Sequence, residues 1–110
     1  MSKKKIDCFI RLTTRGEKMI MKAQGERIVV DGDEEEMEKI ILVHIDSDEC
    51  NMHHWSVINE YTGLTVCSGK TRKKCLDQWE EKKQMYYRYL NNHKDMFRMS
   101  HEELQKLTSL

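Results

Sequence analysis

The chain has 110 residues, of which 38% are hydrophobic and 35% charged, and its 19 lysines and arginines balance 19 aspartates and glutamates. This length fits a single domain with a modest core, and no apolar run approaches the roughly 20 residues of a membrane-spanning helix. Asp7 and Arg11 interrupt the stretch after the basic start, which argues against a signal peptide. We therefore predict a cytoplasmic protein whose four cysteines are reduced thiols.

The first half of the chain has the pattern of a strand meander. Strands are predicted at 6–13, 18–23, 27–30 and 40–45, after a disordered tail at 1–5. Gly16, Gly25 and Gly32 stand beside polar residues between these runs, as the glycines of hairpin turns do. The run 40–45 is the most hydrophobic and is predicted as the central strand, with His44 a hydrogen-bonded histidine of the core.

The second half predicts one more hairpin, followed by helices. The hairpin strands are expected at 55–60 and 64–68, on either side of a turn at 61–63. Thr71 is expected to cap a helix at 71–98, which contains neither Gly nor Pro, and Ser100 opens a capping box for a short helix at 100–108. One stripe of the long helix is predicted to pack on the sheet: Cys75, Leu76, Trp79, Tyr86, Leu90, His93 and Phe97.

The predicted fold class is therefore α+β, with an antiparallel sheet of five or six short strands (residues 6–68), one long amphipathic helix packed on it and a short C-terminal helix. A helix over 71–98 spans about 40 Å at 1.5 Å per residue, which is more than a sheet of short strands covers. Its second half is expected either to contact a second subunit or to break near Asn91-Asn92. The residues predicted for self-association are Met85, Tyr86, Tyr89, Leu90 and Phe97.

The two signs of charge are segregated along the chain. Residues 26–60 contain eleven acids and two bases, whereas 1–25 and 61–98 each carry a net charge of +5. Such an oriented distribution favours recognition of a partner even when the net charge is zero. The main hypothesis is a non-enzymatic, phage- or prophage-derived protein whose acidic face blocks a basic protein surface, for example that of a defence nuclease. The predicted contact residues are Asp31, Asp33, Glu34, Glu35, Glu36, Glu38, Asp46, Asp48 and Glu49.

A basic cluster at the start of the long helix supports a second hypothesis. Residues 55–79, with Trp-Ser-Val, Tyr-Thr-Gly and Gly-Lys-Thr-Arg-Lys-Lys-Cys, resemble the arm-type DNA-binding domains of phage integrases, which are three-stranded sheets followed by a helix. The resemblance covers about a quarter of the chain, and Lys70 stands where that family has an aromatic residue. It implies a DNA-binding module that uses the 55–68 hairpin and residues 70–74. Its predicted contact residues are Trp55, Lys70, Arg72, Lys73 and Lys74.

The remaining polar residues support less specific interpretations. Cys50, His53 and His54 offer a thiol and two imidazoles within five residues, but no second ligand pair stands at the spacing typical of zinc sites. No metal site and no cofactor are predicted. Hydrolase motifs such as GxSxG and HExxH are absent from the sequence, so an enzyme is not expected. A third hypothesis is an oligomer that binds a small anionic, nucleotide-like ligand at its subunit junctions.

Overall fold

The structure is a computed structural model that describes residues 5–14, 16–28, 38–47 and 52–109. The described residues form five strands and two helices. In chain order these are β1 (Lys5–Thr14), β2 (Glu17–Ile28), β3 (Ile40–Ser47), β4 (Met52–Asn59), β5 (Thr65–Gly69), α1 (Arg72–Asn92) and α2 (Lys94–Thr108). Each strand pairs antiparallel with the next, in the order β1-β2-β3-β4-β5. The predicted α+β fold, a meander followed by two helices, is confirmed.

β1 and β2 form a long hairpin that turns at Gly16, as predicted. Ten residue pairs connect the two strands, and Gly16 has the positive φ of 80° that favours glycine. The predicted turn at Gly25 is wrong, because β2 continues through it to Ile28. A Cβ on Gly25 would contact the backbone oxygen of Leu42 on β3, so this glycine permits a close approach of two strands. The turn predicted at Gly32 lies outside the described residues.

The sheet is curled, and its first strand meets the β4–β5 turn. Only four residue pairs join β2 to β3, so most of the β1–β2 hairpin extends beyond β3. The backbone N–H of Arg11 on β1 donates to the carbonyl of Gly63, at 2.9 Å. Side chains of β1 therefore share one apolar cluster with the central strands. Its buried members are Cys8, Ile10, Ile41, Val43, Ile45 and Ile58.

The opposite face of the sheet is covered by α1. The buried residues on this side are Ile40, Leu42, Val57, Cys67, Cys75 and Trp79. β3 contributes to both clusters, which explains its nearly continuous apolar sequence and confirms that 40–45 is the central strand. Thr71 caps α1 as predicted, because its hydroxyl oxygen accepts the backbone N–H of Lys74 at 3.1 Å.

The long helix is interrupted at His93, so the predicted helix 71–98 is wrong at its C-terminal end. α1 ends at Asn92, and α2 follows the non-helical backbone of His93 (φ −134°, ψ 37°). The alternative expectation, a break near Asn91-Asn92, is confirmed. Ser100, the expected cap of the short helix, lies inside α2, because this helix begins six residues earlier than expected.

The break allows α2 to fold back onto the molecule. Phe97 packs with Leu90 in a small apolar cluster beside Tyr86. Leu104 lies against the β4–β5 turn, where its Cδ2 is 3.5 Å from the position that a Cβ on Gly63 would take. Phe97 and Leu104 are both buried, and burial of apolar side chains of this size offsets the cost of breaking a helical turn.

Arg11 connects β1, the β4–β5 turn and α2. Its Nε donates to the carbonyl of Thr62 at 2.9 Å, and its Nη2 donates to the carbonyl of Ser100 at 2.5 Å. Its Nη1 forms an ion pair with the Glu103 carboxylate at 2.9 Å. Together with the backbone bond to Gly63, these contacts fix α2 against the curled edge of the sheet.

The β4–β5 turn is held by a buried polar network. The amide oxygen of Asn59 accepts the backbone N–H of Thr62 at 3.0 Å, and its amide nitrogen donates to the hydroxyl of Tyr86 on α1 at 2.7 Å. Asn59 and Thr62 are buried, so these bonds satisfy groups that water cannot reach. The turn ends at Gly63, whose φ is 76°.

Candidate functional site

The side chains of His44 and Trp55 form a stacked pair on the surface of the sheet. The two residues are opposite each other in the β3–β4 register. Their ring centroids are 4.4 Å apart and their planes differ by 10°. His44 is exposed and Trp55 is half-buried, since part of its indole packs against the cluster under α1. The prediction of His44 as a core histidine is therefore wrong.

The exposure of His44 follows from where α1 crosses the sheet. Alternate residues of β3 point to the helix side, and Ile40 and Leu42 on that side are covered by α1. His44 and Asp46 continue the same row but are exposed. The change from apolar to polar residues at alternate positions was visible in the sequence, and it is the signal by which His44 could have been found.

A cluster of exposed bases begins next to this pair. Gly69 is opposite Trp55 in the β4–β5 register, and the chain continues from Gly69 into the basic cluster and the start of α1. A Cβ on Gly69 would lie 2.6 Å from the backbone nitrogen of Cys75, so the first turn of α1 lies directly against this strand. The four exposed bases are Lys70, Arg72, Lys73 and Lys74. These four bases follow within five residues of Gly69, the register partner of Trp55.

Two ion pairs border this region, which we call the aromatic–basic surface (His44, Trp55, Lys70, Arg72, Lys73 and Lys74). Arg72 reaches the carboxylate of Glu26 on β2, with Nη2 and Oε2 3.4 Å apart. His53 and Asp46 are opposite each other one row beyond the stack, with Nδ1 and Oδ1 2.5 Å apart. One rim of the surface therefore carries acidic groups that are already paired within the chain.

The three residues considered for a metal site are not brought together by the described structure. His53 and His54 are neighbours on β4, so their side chains point to opposite faces of the sheet. Cys50 lies outside the described residues. Within the described part of the chain, no group of three histidine, cysteine, aspartate or glutamate side chains is arranged to hold a metal ion.

Most of the predicted acidic contact residues lie outside the described residues. These are Asp31, Asp33, Glu34, Glu35, Glu36, Asp48 and Glu49. Of the remaining two, Glu38 precedes β3 by two residues and Asp46 lies near its end, so these two carboxylates are separated by roughly the length of the strand, about 25 Å at 3.3 Å per residue. The predicted single acidic face depends on the other seven residues and stays a prediction.

Two further acids of the 26–60 segment are paired with arginines of the same chain. Glu60 accepts both Nε and Nη2 of Arg27, at 2.8 and 3.0 Å, in a two-point ion pair. Glu26 is paired with Arg72. Part of the negative charge counted in the sequence is therefore balanced within the folded protein.

The residues predicted for self-association divide into a buried and an exposed group. Leu90 and Phe97 are buried in the protein's own core, and Tyr86 is half-buried against it. Leu90 lies on the predicted core-facing stripe of α1, and the break at His93 turns Phe97 inward onto it, so neither residue is a surface contact. Met85 and Tyr89 are exposed.

The prediction that His93 lies on the core-facing stripe of the long helix is also wrong. The residue is exposed at the junction of the two helices. Its ring stacks on Tyr89 at a centroid distance of 4.2 Å. Its Nδ1 lies 2.8 Å from the Tyr89 carbonyl oxygen, so its contacts are with α1 and not with the sheet.

The cysteines of the described residues are buried, reduced thiols rather than nucleophiles. Burial raises the pKa of Cys8 to about 11 and that of Cys67 to about 12, and it also raises the pKa of Cys75. The charges of Glu60 and Asp7 add to the effect at Cys8, and the neighbouring Cys75 adds to it at Cys67. A thiol needs a lowered pKa to attack a substrate at neutral pH, so these three residues serve packing.

Comparisons with known protein families, with curated proteins and with solved structures found no match to this chain. The resemblance of residues 55–79 to integrase arm-type domains therefore stays a prediction, as do the three functions derived from the sequence. Neither α1 nor α2 is both long and apolar enough to span a membrane.

Proposed function

We propose that this protein is a non-enzymatic nucleic-acid-binding protein that holds single-stranded DNA or RNA on the aromatic–basic surface. The observation that carries the proposal is the exposed stack of His44 on Trp55 beside four exposed bases. Proteins that bind unpaired strands combine aromatic platforms for the bases with positive charge for the backbone. Here the aromatic pair includes Trp55, which is opposite Gly69 in the sheet, and the positive charges follow Gly69 along the chain.

The stack supports recognition of unpaired bases rather than of a closed duplex. The ring of His44 contacts Trp55 on one face while the residue remains exposed, so a base can extend the stack. Stacking of a base on an aromatic side chain contributes about 1–3 kcal/mol and requires a base that is not enclosed in a helix. A duplex offers such a face only at its ends.

The bases at the start of α1 support binding of the phosphates that flank a stacked base. Lys70, Lys73 and Lys74 are exposed, and Arg72 is exposed beside them while its guanidinium pairs with Glu26. The N-terminus of the 21-residue helix α1 adds a partial positive charge in the same place. Three or four phosphate contacts predict a binding constant that falls with salt with a logarithmic slope of about −2 to −3 for a single strand.

The test is a titration of labelled single-stranded and double-stranded oligonucleotides of the same sequence, followed by fluorescence anisotropy. The proposal expects the single strand to bind more tightly, and expects Trp55→Ala and Lys73→Glu/Lys74→Glu each to weaken binding about tenfold or more. Lys22→Glu/Lys82→Glu makes the same charge change on exposed residues elsewhere and should have little effect. Absence of binding, or equal weakening in both double variants, contradicts the proposal.

The charge of residues 26–60 favours a second candidate function, the blocking of a basic protein surface. Eleven acids against two bases in this segment exceed what the ion pairs to Arg27 and Arg72 balance. Carboxylates can occupy the positions of phosphates on a protein that binds nucleic acid. The test is retention of one basic host protein on the immobilised chain, abolished when Glu34, Glu35 and Glu36 are changed to lysine and preserved in Lys73→Glu/Lys74→Glu. The opposite pattern in the two variants contradicts this candidate.

A further inference from the structure

Seven large apolar side chains are exposed among the described residues, and five of them line two grooves that share Leu64. A groove of about 220 Å³ between α1, α2 and the start of β5 is lined by Leu64, Tyr89 and Met96. A second groove of about 640 Å³, between α2 and the β1–β2 hairpin, is lined by Leu64, Met19 and Leu107. Leu64 belongs to both grooves, so the two are contiguous.

The other two exposed side chains extend this surface along the helices. Met85 lies one turn before Tyr89 on α1, and Met99 lies one turn after Met96 on α2, at spacings that place each pair on one side of its helix. We call the seven residues the methionine-rich surface. It contains four of the eight methionines of the chain, a residue type that is enriched at protein interfaces.

The exposed area of the methionine-rich surface is close to the area that one partner buries in a stable protein interface. Between 40% and 70% of each of the seven residues is exposed. With about 200 Å² for a fully exposed side chain of this size, the seven expose roughly 700 Å², close to the ~800 Å² per partner of a stable interface. A monomer rarely exposes a continuous apolar area of this size without a partner.

We infer that the partner is a second copy of this chain, which packs its α2 antiparallel to α2 of the first across a two-fold axis. In this arrangement each end of α2 faces the oppositely charged end of α2 in the other copy. Asp95 lies in the first turn and Lys106 in the last, and both are exposed, so an antiparallel copy places Asp95 against Lys106 of the partner subunit. Arg98 and Glu103 keep their ion pairs within one chain, with Asp95 and Arg11 respectively.

The parallel arrangement would place like charges together, and it is therefore disfavoured. In the antiparallel pair the two Met99 side chains lie near the two-fold axis, flanked by the charged pairs, which gives an apolar centre with a polar rim. A two-fold interface repeats each contact, so the pair of Asp95 with Lys106 of the partner subunit occurs twice.

The experiment measures the mass of the full chain by light scattering and analytical ultracentrifugation across the micromolar range. We expect twice the mass of one chain, and expect Met99→Glu to shift the dissociation constant at least tenfold. Lys22→Glu, on exposed β2 outside the surface, should leave the mass unchanged. Because Met99 is about two-thirds exposed (69%) in the single chain, its replacement should not unfold the protein, which circular dichroism checks.

A charge-exchange experiment tests the antiparallel geometry itself. Asp95→Lys alone and Lys106→Asp alone each place two like-charged pairs in the interface, and each variant should be monomeric at concentrations where the wild type is dimeric. A mixture of the two variants restores both pairs in the heterodimer and should regain the dimer mass. A monomeric wild type, or a mixture that stays monomeric while the wild type is dimeric, overturns the inference. Neither result affects nucleic-acid binding by the aromatic–basic surface.

Discussion

The imidazole of His44 and the indole of Trp55 lie nearly parallel, 4.4 Å apart, on the part of the sheet that α1 leaves open. The other tryptophan of the chain, Trp79, lies on the buried side of α1, in the core between this helix and the sheet. A ligand on the surface can therefore reach one tryptophan and not the other. This difference makes the intrinsic fluorescence of the protein a reporter for the proposed site.

The first prediction concerns this fluorescence. We expect single-stranded oligonucleotides to quench the tryptophan emission of the wild type, because a base stacked on the His44–Trp55 pair contacts the indole of Trp55. In Trp55→Phe, the remaining emission comes from buried Trp79 and should not respond to the oligonucleotide. A titration at constant protein concentration measures both. Equal quenching of the two proteins would place the ligand elsewhere.

The second prediction concerns Arg11. Its side chain is 19% exposed and donates to two backbone carbonyls and to Glu103. Arg11→Ala should lower the free energy of unfolding by about 2–3 kcal/mol, because buried carbonyl groups lose a charged donor. Glu103→Gln should cost less than ~1 kcal/mol, since this carboxylate is 65% exposed and its ion pair is screened by water. Urea unfolding measures both, and an equal decrease in the two variants contradicts the assigned hydrogen bonds.

The third prediction concerns Gly25. A methyl group at this position would contact the Leu42 carbonyl oxygen and lie 2.8 Å from Cγ2 of Val43. Gly25→Ala should therefore destabilise the fold by about 1–3 kcal/mol through overpacking. Gly16→Ala is the matched comparison, since nothing lies within 4 Å of its Cβ position and only its positive φ opposes the change. It should cost about 1 kcal/mol, and a smaller cost for Gly25→Ala would contradict the close approach of β2 to β3.

The fourth prediction concerns alkaline pH. Burial raises the pKa of Cys8 from 9.0 to about 11 and the pKa of Tyr86 from 10.0 to about 12. The unfolded chain releases these protons at lower pH than the folded chain. The associated stability is therefore fully present below about pH 9 and is lost as the pH rises through about 11 to 12. Urea unfolding at a series of pH values should show this fall.

The matched variants for the alkaline effect are Cys8→Ala and Tyr86→Phe. Each removes one group whose pKa is raised by burial, so each should make the fall in stability shallower. Tyr86→Phe also removes the hydroxyl that accepts from Asn59. The fall in its free energy of unfolding at high pH is therefore measured relative to the value of the same variant at neutral pH. A pH dependence that is unchanged in both variants would mean that other groups cause it.

The local signals of the sequence predicted the meander and the start of the helix, because each depends on neighbouring residues. Gly16 fits a tight turn, and the Thr71 hydroxyl lies three residues from the N–H that it accepts. The break at His93 could be predicted only as an alternative, from the length of the helix. Its position depends on where Phe97 and Leu104 are buried, which no local pattern contains.

The wrong predictions for Gly25 and His44 have a common cause, because both depend on how the sheet curls and on which part of it α1 covers. Gly25 looks like a turn residue until the strand opposite it is known, and His44 looks buried until the path of α1 is known. The basic cluster and Trp55 were identified from the sequence, whereas the stacking partner of Trp55 was not. Cross-strand register decides which residues stack, and register is a property of the folded sheet.

The most direct test of nucleic-acid binding by the aromatic–basic surface is the salt dependence of affinity for a single-stranded oligonucleotide. We expect a logarithmic slope of about −2 to −3 for the wild type, reduced by about 0.7 for each phosphate that is no longer neutralised. Lys73→Glu/Lys74→Glu should therefore show a slope of about −1, whereas Lys22→Glu/Lys82→Glu should keep that of the wild type. A slope near zero, or one that the first double variant leaves unchanged, would contradict the proposal.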